Sequence, residues 1–138
     1  PNMIPDATGH EPTAAQRLAL SVRNPRSVFP YSATSARRCD IDHTIAYDPT
    51  GSEGPTSMAN LGPLERTAHR AKTAGHWLAD QPAPGAFHWA SPMGFEYLVT
   101  GQGTVMTKTP DIPVPPIPEL PPQAPPEYEP PPDRARAA

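Results

Sequence analysis

A proline-rich stretch at residues 110–132 restricts the possible folds of this chain more than any other feature. It holds twelve of the 23 prolines in the 138 residues, and its apolar residues show no periodicity. Proline lacks a backbone N–H and fixes φ, so neither a helix nor an inner strand can form there. We predict a disordered or polyproline-type tail at residues 105–138, one folded domain at residues 13–104 and a flexible segment at residues 1–12. Because the chain begins with Pro1, we also expect upstream sequence to be missing.

The charge is unevenly distributed along the chain. The net charge is −3, but residues 15–108 carry nine Lys and Arg against seven Asp and Glu, which is +2. This excess is compatible with a phosphate-bearing partner without requiring one. The single cysteine, Cys39, excludes an intrachain disulfide and a cysteine-rich zinc site. No apolar run is long enough to span a membrane and no signal peptide is visible, so we expect a cytoplasmic protein.

Apolar periodicity and turn residues predict the elements of the folded part. Thr13 and Gln16 have the spacing of a capping box, which predicts a helix that ends at Arg23, with Leu18 and Val22 as an apolar pair on one face. Six further elements are predicted in the order strand, extended piece, helix and three strands of an antiparallel meander, at residues 38–45, 60–64, 65–73, 77–80, 87–90 and 95–100. The expected fold class is α+β.

Three side chains have the chemistry that metal-assisted phosphodiester hydrolysis requires. Asp42 and His69 offer a carboxylate and an imidazole for a divalent cation, and His43 is a base that can be neutral near pH 7. In a regular strand adjacent side chains point to opposite faces, so Asp42 and His43 share a site only if the strand ends or bulges there. Asn60 stands just after the loop at residues 48–57, and its side-chain amide can tie that loop to the hairpin and orient His43. Each of these residues alone is more often structural.

Their order and context resemble a known family. Residues 39–45, 60–64 and 69–73 closely resemble the HNH endonuclease domain of the large actinobacterial repeat-type family, which is abundant in mycobacteria and their relatives. The similarity continues through Gly75, His76 and Trp77 to residues 91–94 and covers about residues 13–104. It implies a ββα-metal (HNH/His-Me finger) motif with an N-terminal helix and a small C-terminal antiparallel meander.

The resemblance also implies roles for particular residues. Asp42 and His69 would bind one divalent metal, His43 would be the general base and Asn60 would position it. Arg70 and Lys72 follow the metal ligand His69, and we expect one of them to contact a phosphate of the DNA. Mg²⁺ or Mn²⁺ is the expected ion, although one Asp and one His also accept Ni²⁺, Co²⁺ or Zn²⁺. The expected function is therefore a metal-dependent endonuclease that hydrolyses DNA.

The chain departs from this family at the ligands of a structural zinc. The four positions are Ser27, Ser32, Glu65 and Ala68 here, so we expect no structural zinc. Such a site contributes folding free energy directly, so apolar packing must replace it, and the C-terminal strands should belong to the same folded unit. The candidate core residues are Val28, Phe29, Ile41, Ile45, Leu61, Leu64, Trp77, Leu78, Phe87, Trp89, Tyr97 and Val99.

Two other functions stay open on the sequence. The first is a nucleic-acid-binding domain without catalysis, although a charge of +2 gives little non-specific affinity. The second is an interaction protein that presents residues 110–132 to an aromatic-lined groove through PxxP spacings. An acidic tail that only improves solubility is the simpler explanation of that stretch.

Overall fold

A computed structural model of the protein describes residues 3–111 and residue 113. A short 3-10 turn at Ala36–Arg38 precedes the first strand. In chain order the helices and strands are α1 (Ala14–Arg23), β1 (Asp40–His43), β2 (Leu61–Leu64), α2 (Arg66–Thr73), β3 (Leu78–Ala83), β4 (Ala86–Ala90), β5 (Glu96–Thr100) and β6 (Gly103–Lys108). β1 and β2 form one antiparallel pair, and β3 to β6 form a four-stranded antiparallel sheet in sequential order.

The predicted fold class, an α+β ββα-metal motif with an N-terminal helix and a C-terminal meander, is wrong. The described residues are mostly antiparallel β-sheet, with six strands in two sheets and two short α-helices of ten and eight residues. The resemblance rests on the hairpin of β1 and β2 and on α2, and these elements are the smaller part of the fold. The larger sheet is instead the main layer, since it presents Phe87, Trp89 and Val99 to the core.

Helix α1 begins with the predicted capping box. The Thr13 side chain accepts a hydrogen bond from the backbone of Gln16, and the Gln16 side chain accepts one from the backbone of Thr13. The predicted helix is confirmed, but its apolar pair Leu18 and Val22 faces outward, 64% and 77% exposed. The helix instead buries Leu20 and the amide of Gln16, whose Nε2 donates to backbone carbonyls outside the helix.

One apolar core joins the smaller hairpin, α2 and the four-stranded sheet. Its buried members are Val28, Leu64, Ala68, Phe87, Trp89 and Val99. The Trp89 indole N–H donates to the Val28 carbonyl over 2.7 Å, which satisfies the only polar atom of the largest core side chain. The C-terminal strands thus pack on the same core as the hairpin. Ile45 and Leu78 are exceptions among the candidate core residues, since they are 58% and 68% exposed.

The last strand was not predicted. β6 pairs with β5 and extends the sheet to Lys108, inside the segment predicted to be tail. Its residues Thr104, Val105 and Met106 do not alternate between polar and apolar side chains, so periodicity gave no signal for a strand. Most of the proline-rich stretch lies outside the described residues. No helix in the described part of the chain is both long and apolar enough to cross a membrane.

The N-terminal segment, predicted to be flexible, is held by hydrogen bonds. Ala7 pairs with Thr56 as an isolated antiparallel bridge, with its N–H donating to the Thr56 carbonyl over 3.0 Å. Gln16 Nε2 donates to the Pro5 carbonyl, and the Thr56 hydroxyl donates to the Gly9 carbonyl. Side chains on α1 and on the loop between β1 and β2 therefore donate hydrogen bonds to backbone carbonyls of this segment.

Three of the four positions that were compared above with zinc ligands, Ser27, Ser32 and Glu65, are joined by hydrogen bonds. The Ser32 and Thr34 hydroxyls both donate to Glu65 Oε2, over 2.8 and 2.6 Å. Ser27 Oγ accepts from the Glu65 backbone N–H over 3.1 Å, and Ala68 packs in the core one turn along α2. Hydrogen bonds and apolar packing thus connect the segment before β1 to the start of α2.

Candidate functional site

Most of the predicted site residues border one open cavity. The cavity has a volume of about 610 Å³ and lies between the end of β1, helix α2 and the start of β3. Asp42, His43, His69 and Lys72 line it, together with His10 from the N-terminal segment. The fold therefore brings together the predicted metal ligands and the predicted base, from one strand and one helix that are adjacent in space.

His69 lies between two carboxylates. Its Nδ1 is 3.2 Å from Asp40 Oδ2, and its Nε2 is 3.3 Å from Asp42 Oδ1. Asp40 and Asp42 are two residues apart in β1, so their side chains leave the same face of the strand, towards α2. Arg66 donates to Asp40 Oδ1, and this hydrogen bond holds the pKa of Asp40 below its usual value. Asp40 is therefore ionised and acts as an acceptor for the Nδ1–H of His69.

This arrangement suits a cation between Asp42 and His69. If the His69 ring is neutral and donates Nδ1–H to Asp40, it directs the lone pair of Nε2 at Asp42 Oδ1, whereas a protonated ring would donate to both carboxylates. Two ligand atoms that lie about 2.0–2.2 Å from one ion are roughly 3.0–3.5 Å apart in octahedral or tetrahedral geometry. The observed 3.3 Å lies in that range. A metal-bound histidine commonly donates its other ring N–H to a carboxylate, which fixes the orientation of the ring.

The protein would supply two ligands to such an ion. Among the described residues, no group of three or more His, Cys, Asp or Glu side chains is arranged to hold a metal. Asp40 does not make a third ligand, because it contacts the opposite nitrogen of the His69 ring. The remaining coordination positions would be open to solvent or substrate, as in catalytic metal sites.

The two predicted phosphate-binding residues lie in different environments. Lys72 is only 16% exposed, and its ammonium group lies 2.9 Å from Asp42 Oδ2 and donates to the His43 carbonyl over 2.8 Å. It thus holds the second oxygen of Asp42 and the end of β1. Arg70 is on the exposed side of α2 and does not line the cavity.

The break expected between Asp42 and His43 is absent. The pairing of β1 with β2 stays in regular register through both residues, opposite Gly62 and Leu61. β1 ends at His43, which is the other condition that the sequence allowed. The two side chains leave opposite faces of the strand, and both border the cavity because the cavity extends around the strand end.

His43 is 7% exposed and is enclosed by three side chains. Its Nε2 lies 2.9 Å from Thr56 Oγ1, and its ring stacks on His10 with centroids 5.0 Å apart and planes 28° apart. Tyr47 lies against both rings. Burial, and then the nearby charge of His10, lower the pKa of His43. The imidazole is thus neutral at neutral pH, the form that can accept a proton.

Asn60 closes the loop between β1 and β2. Its Oδ1 accepts from the Ile45 N–H over 2.8 Å, and its Nδ2 donates to the carbonyls of Ile45 and Pro55 over 2.9 and 3.0 Å. Gly54, with φ of +61°, folds this loop against Ala46 so closely that a Cβ would lie 1.9 Å from the Ala46 carbonyl oxygen. Asn60 thus connects the loop to the hairpin, as the sequence suggested. The residue that hydrogen-bonds His43, however, is Thr56.

Three residues at the site were not predicted. Asp40 had a signal in the sequence, because it alternates with Asp42 on one face of β1. Thr56 and His10 had none, since Thr56 is an ordinary loop residue in the sequence and His10 falls in the segment expected to be flexible. Their contacts with His43 depend on how distant parts of the chain pack.

Comparisons with known proteins leave the family open. No protein-family model matches the chain, and no solved structure is detectably similar to it. Over 89 residues, 64% of the chain, it is 33% identical to a protein of Mycobacterium tuberculosis described as "Uncharacterized protein Rv3776". The matched region is 16% of that protein, so the chain spans only about a sixth of its length. The similarity carries no activity with it, because the relative's description gives none.

Proposed function

We propose that this protein is a metal-dependent endonuclease that hydrolyses DNA phosphodiester bonds. The observation that carries the proposal is the placement of Asp42 and His69 atoms 3.3 Å apart at a cavity that the buried His43 also lines. A carboxylate, an imidazole whose far nitrogen is held by Asp40, and a neutral base together make up the set of groups that metal-assisted hydrolysis needs. Because the proposed substrate is DNA, we also propose a cytoplasmic location.

Each residue has a defined task in this proposal. Asp42 and His69 would hold one divalent ion, with Mg²⁺ or Mn²⁺ as the first choice and Ni²⁺, Co²⁺ or Zn²⁺ as alternatives. When bound, the ion supplies a positive charge that polarises the scissile phosphate. His43 removes the proton from the attacking water, and its lowered pKa keeps it ready to do so at neutral pH. Asn60 holds the loop that surrounds His43.

The two basic residues of α2 divide the remaining work. Lys72 is held by Asp42 and by the His43 carbonyl, so its main effect is to orient these two residues and to offset the charge of Asp42. The exposed Arg70, one residue after His69, is the better placed of the two to reach a phosphate of DNA that approaches along α2.

A nicking assay on supercoiled plasmid tests the proposal. The wild-type protein is expected to nick DNA with Mg²⁺ or Mn²⁺ and to lose this activity in EDTA. His43→Ala should lower the rate by about 10²–10⁴-fold, the usual contribution of a general base, and should leave metal binding intact. The matched control is His76→Ala, because His76 is exposed and does not line the cavity.

Three results would contradict the proposal. Wild-type protein that binds DNA but does not cleave it with any of the five metals would favour the nucleic-acid-binding alternative. Nicking by His43→Ala at the rate of the His76→Ala control would exclude His43 as the base. Full metal binding by the double variant of Asp42→Asn and His69→Gln, measured by calorimetry, would place the ion elsewhere.

A further inference from the structure

The N-terminal segment reaches the predicted base through one hydroxyl group. Thr56 Oγ1 lies 2.6 Å from the Gly9 carbonyl oxygen and 2.9 Å from His43 Nε2. Thr56 is 1% exposed, so solvent does not compete for these contacts. Gly9 and Thr56 are 47 residues apart in the chain, and a third segment provides His43.

The chemistry of the three atoms decides which nitrogen of His43 carries the proton. A carbonyl oxygen can only accept, so the single hydroxyl proton of Thr56 is donated to Gly9. At 2.6 Å, two oxygen atoms without a proton between them would repel each other. Thr56 Oγ1 is then left as an acceptor towards His43, and His43 Nε2 must be the donor. The neutral ring therefore carries its proton on Nε2 and a lone pair on Nδ1.

The free nitrogen of His43 is the one that faces the cavity. In the part of the chain that the structure describes, no group hydrogen-bonds His43 Nδ1, and no buried side-chain nitrogen or oxygen lacks a partner. Nδ1 is consequently open to the cavity that His43 lines. His10 stacks on one face of the ring and Tyr47 contacts it at an angle, so the ring plane is held as well.

We propose that Thr56, supported by the Gly9 carbonyl, is a positioning residue that fixes His43 in the Nε2–H tautomer, so that Nδ1 is the atom that accepts the proton from water. The role in catalysis rests on the proposed nuclease function, whereas the tautomer does not. The N-terminal segment is thereby part of the site. Asn60, which the sequence suggested for this task, acts on the loop instead.

Long-range proton–nitrogen correlation spectra of the ¹⁵N-labelled protein test the tautomer directly. At about pH 8, where an ordinary histidine is neutral, wild-type His43 should show a protonated Nε2 and an unprotonated Nδ1. Its signals are assigned by their loss in His43→Gln. A dominant Nδ1–H signature in the wild type would overturn the proposal, and the His43→Gln spectrum serves only for the assignment.

Two variants test the role of Thr56. Thr56→Val has nearly the same shape but cannot accept a hydrogen bond, so the His43 signals should move towards a mixture of tautomers, and kcat should fall about 10–100-fold with little change in KM. Thr56→Ser keeps the hydroxyl and should restore the Nε2–H signature and most of the rate. A purely structural role for Thr56 would give a loss of thermal stability with no change of tautomer, which would overturn the proposal.

The two proposals fail in distinguishable ways. Wild-type protein that shows the Nε2–H tautomer but cleaves no DNA would refute the nuclease function alone, and the positioning of His43 would stand. Wild-type protein that cleaves DNA while Thr56→Val shows an unchanged tautomer and rate would refute the positioning role alone.

Discussion

Replacing Glu65 by alanine tests whether the hydrogen bonds at Glu65 stabilise the junction between the chain before β1 and the start of α2. Glu65 Oε2 accepts from the Ser32 and Thr34 hydroxyls over 2.8 and 2.6 Å. The side chain makes no capping hydrogen bond at the start of α2, so its removal should act through these two contacts.

The expected loss follows from these contacts. A hydrogen bond to a charged group contributes about 1.5–3 kcal/mol when it is well buried. Glu65, Ser32 and Thr34 are all half-buried, and water can replace part of each contact. About 1 kcal/mol for each bond gives a destabilisation of about 2 kcal/mol, which corresponds to roughly 8–16 °C in Tm for a domain of this size.

Thermal and chemical unfolding, followed by circular dichroism, measure this loss. The matched control is Glu53→Ala, which removes the same charge from an exposed position in the loop and should change Tm little. A double-mutant cycle with Thr34→Val should give a coupling of about 1 kcal/mol. If Glu65→Ala melts together with the control, or the coupling is below about 0.3 kcal/mol, the hydrogen bonds at Glu65 do not stabilise the fold and the reasoning is refuted.

Two further predictions concern the four-stranded sheet. Trp89→Phe leaves the buried Val28 carbonyl without its donor and should lower the free energy of unfolding by about 2–4 kcal/mol with an unchanged m-value, so a loss below about 0.5 kcal/mol would contradict the assigned bond. Hydrogen bonds to Asp80 and then Glu96 raise the pKa of His88, so its stabilising effect should be complete below about pH 6.5 and disappear as the pH rises through the folded-state pKa. The difference in stability between wild type and His88→Gln should shrink over that range, and a difference that is constant or grows with pH would be inconsistent with the ion pair.

Local patterns predicted the elements well where one short segment carried the whole signal. The capping box of Thr13 and Gln16 is present because both partners lie within one turn of α1. The alternation of Phe87, His88 and Trp89 matches the buried and outward positions of β4. In these cases the deciding interactions are between residues that are close in the chain.

Local sequence patterns did not predict which side chains are buried where burial depends on the element that packs against a helix or strand. Leu18 and Val22 have helical spacing, but the face of α1 that meets the loop at Thr56 is the one with Gln16 and Leu20. The fold class was wrong for the same reason. A hairpin and a helix can be recognised from their own residues, whereas the share of the core supplied by the larger sheet depends on packing between layers.

The sequence by itself determined the chemistry of the candidate site. Asp42, His43 and His69 offer a carboxylate, a base and an imidazole. Only the tertiary structure decided that Asp40 supports His69 and that Thr56 donates to Gly9 and orients His43. The physical reason is the separation in sequence between the residues that interact. The type of a side chain is encoded at one position, but a hydrogen bond between segments tens of residues apart exists only after the chain has packed, and its geometry is set by every element between them.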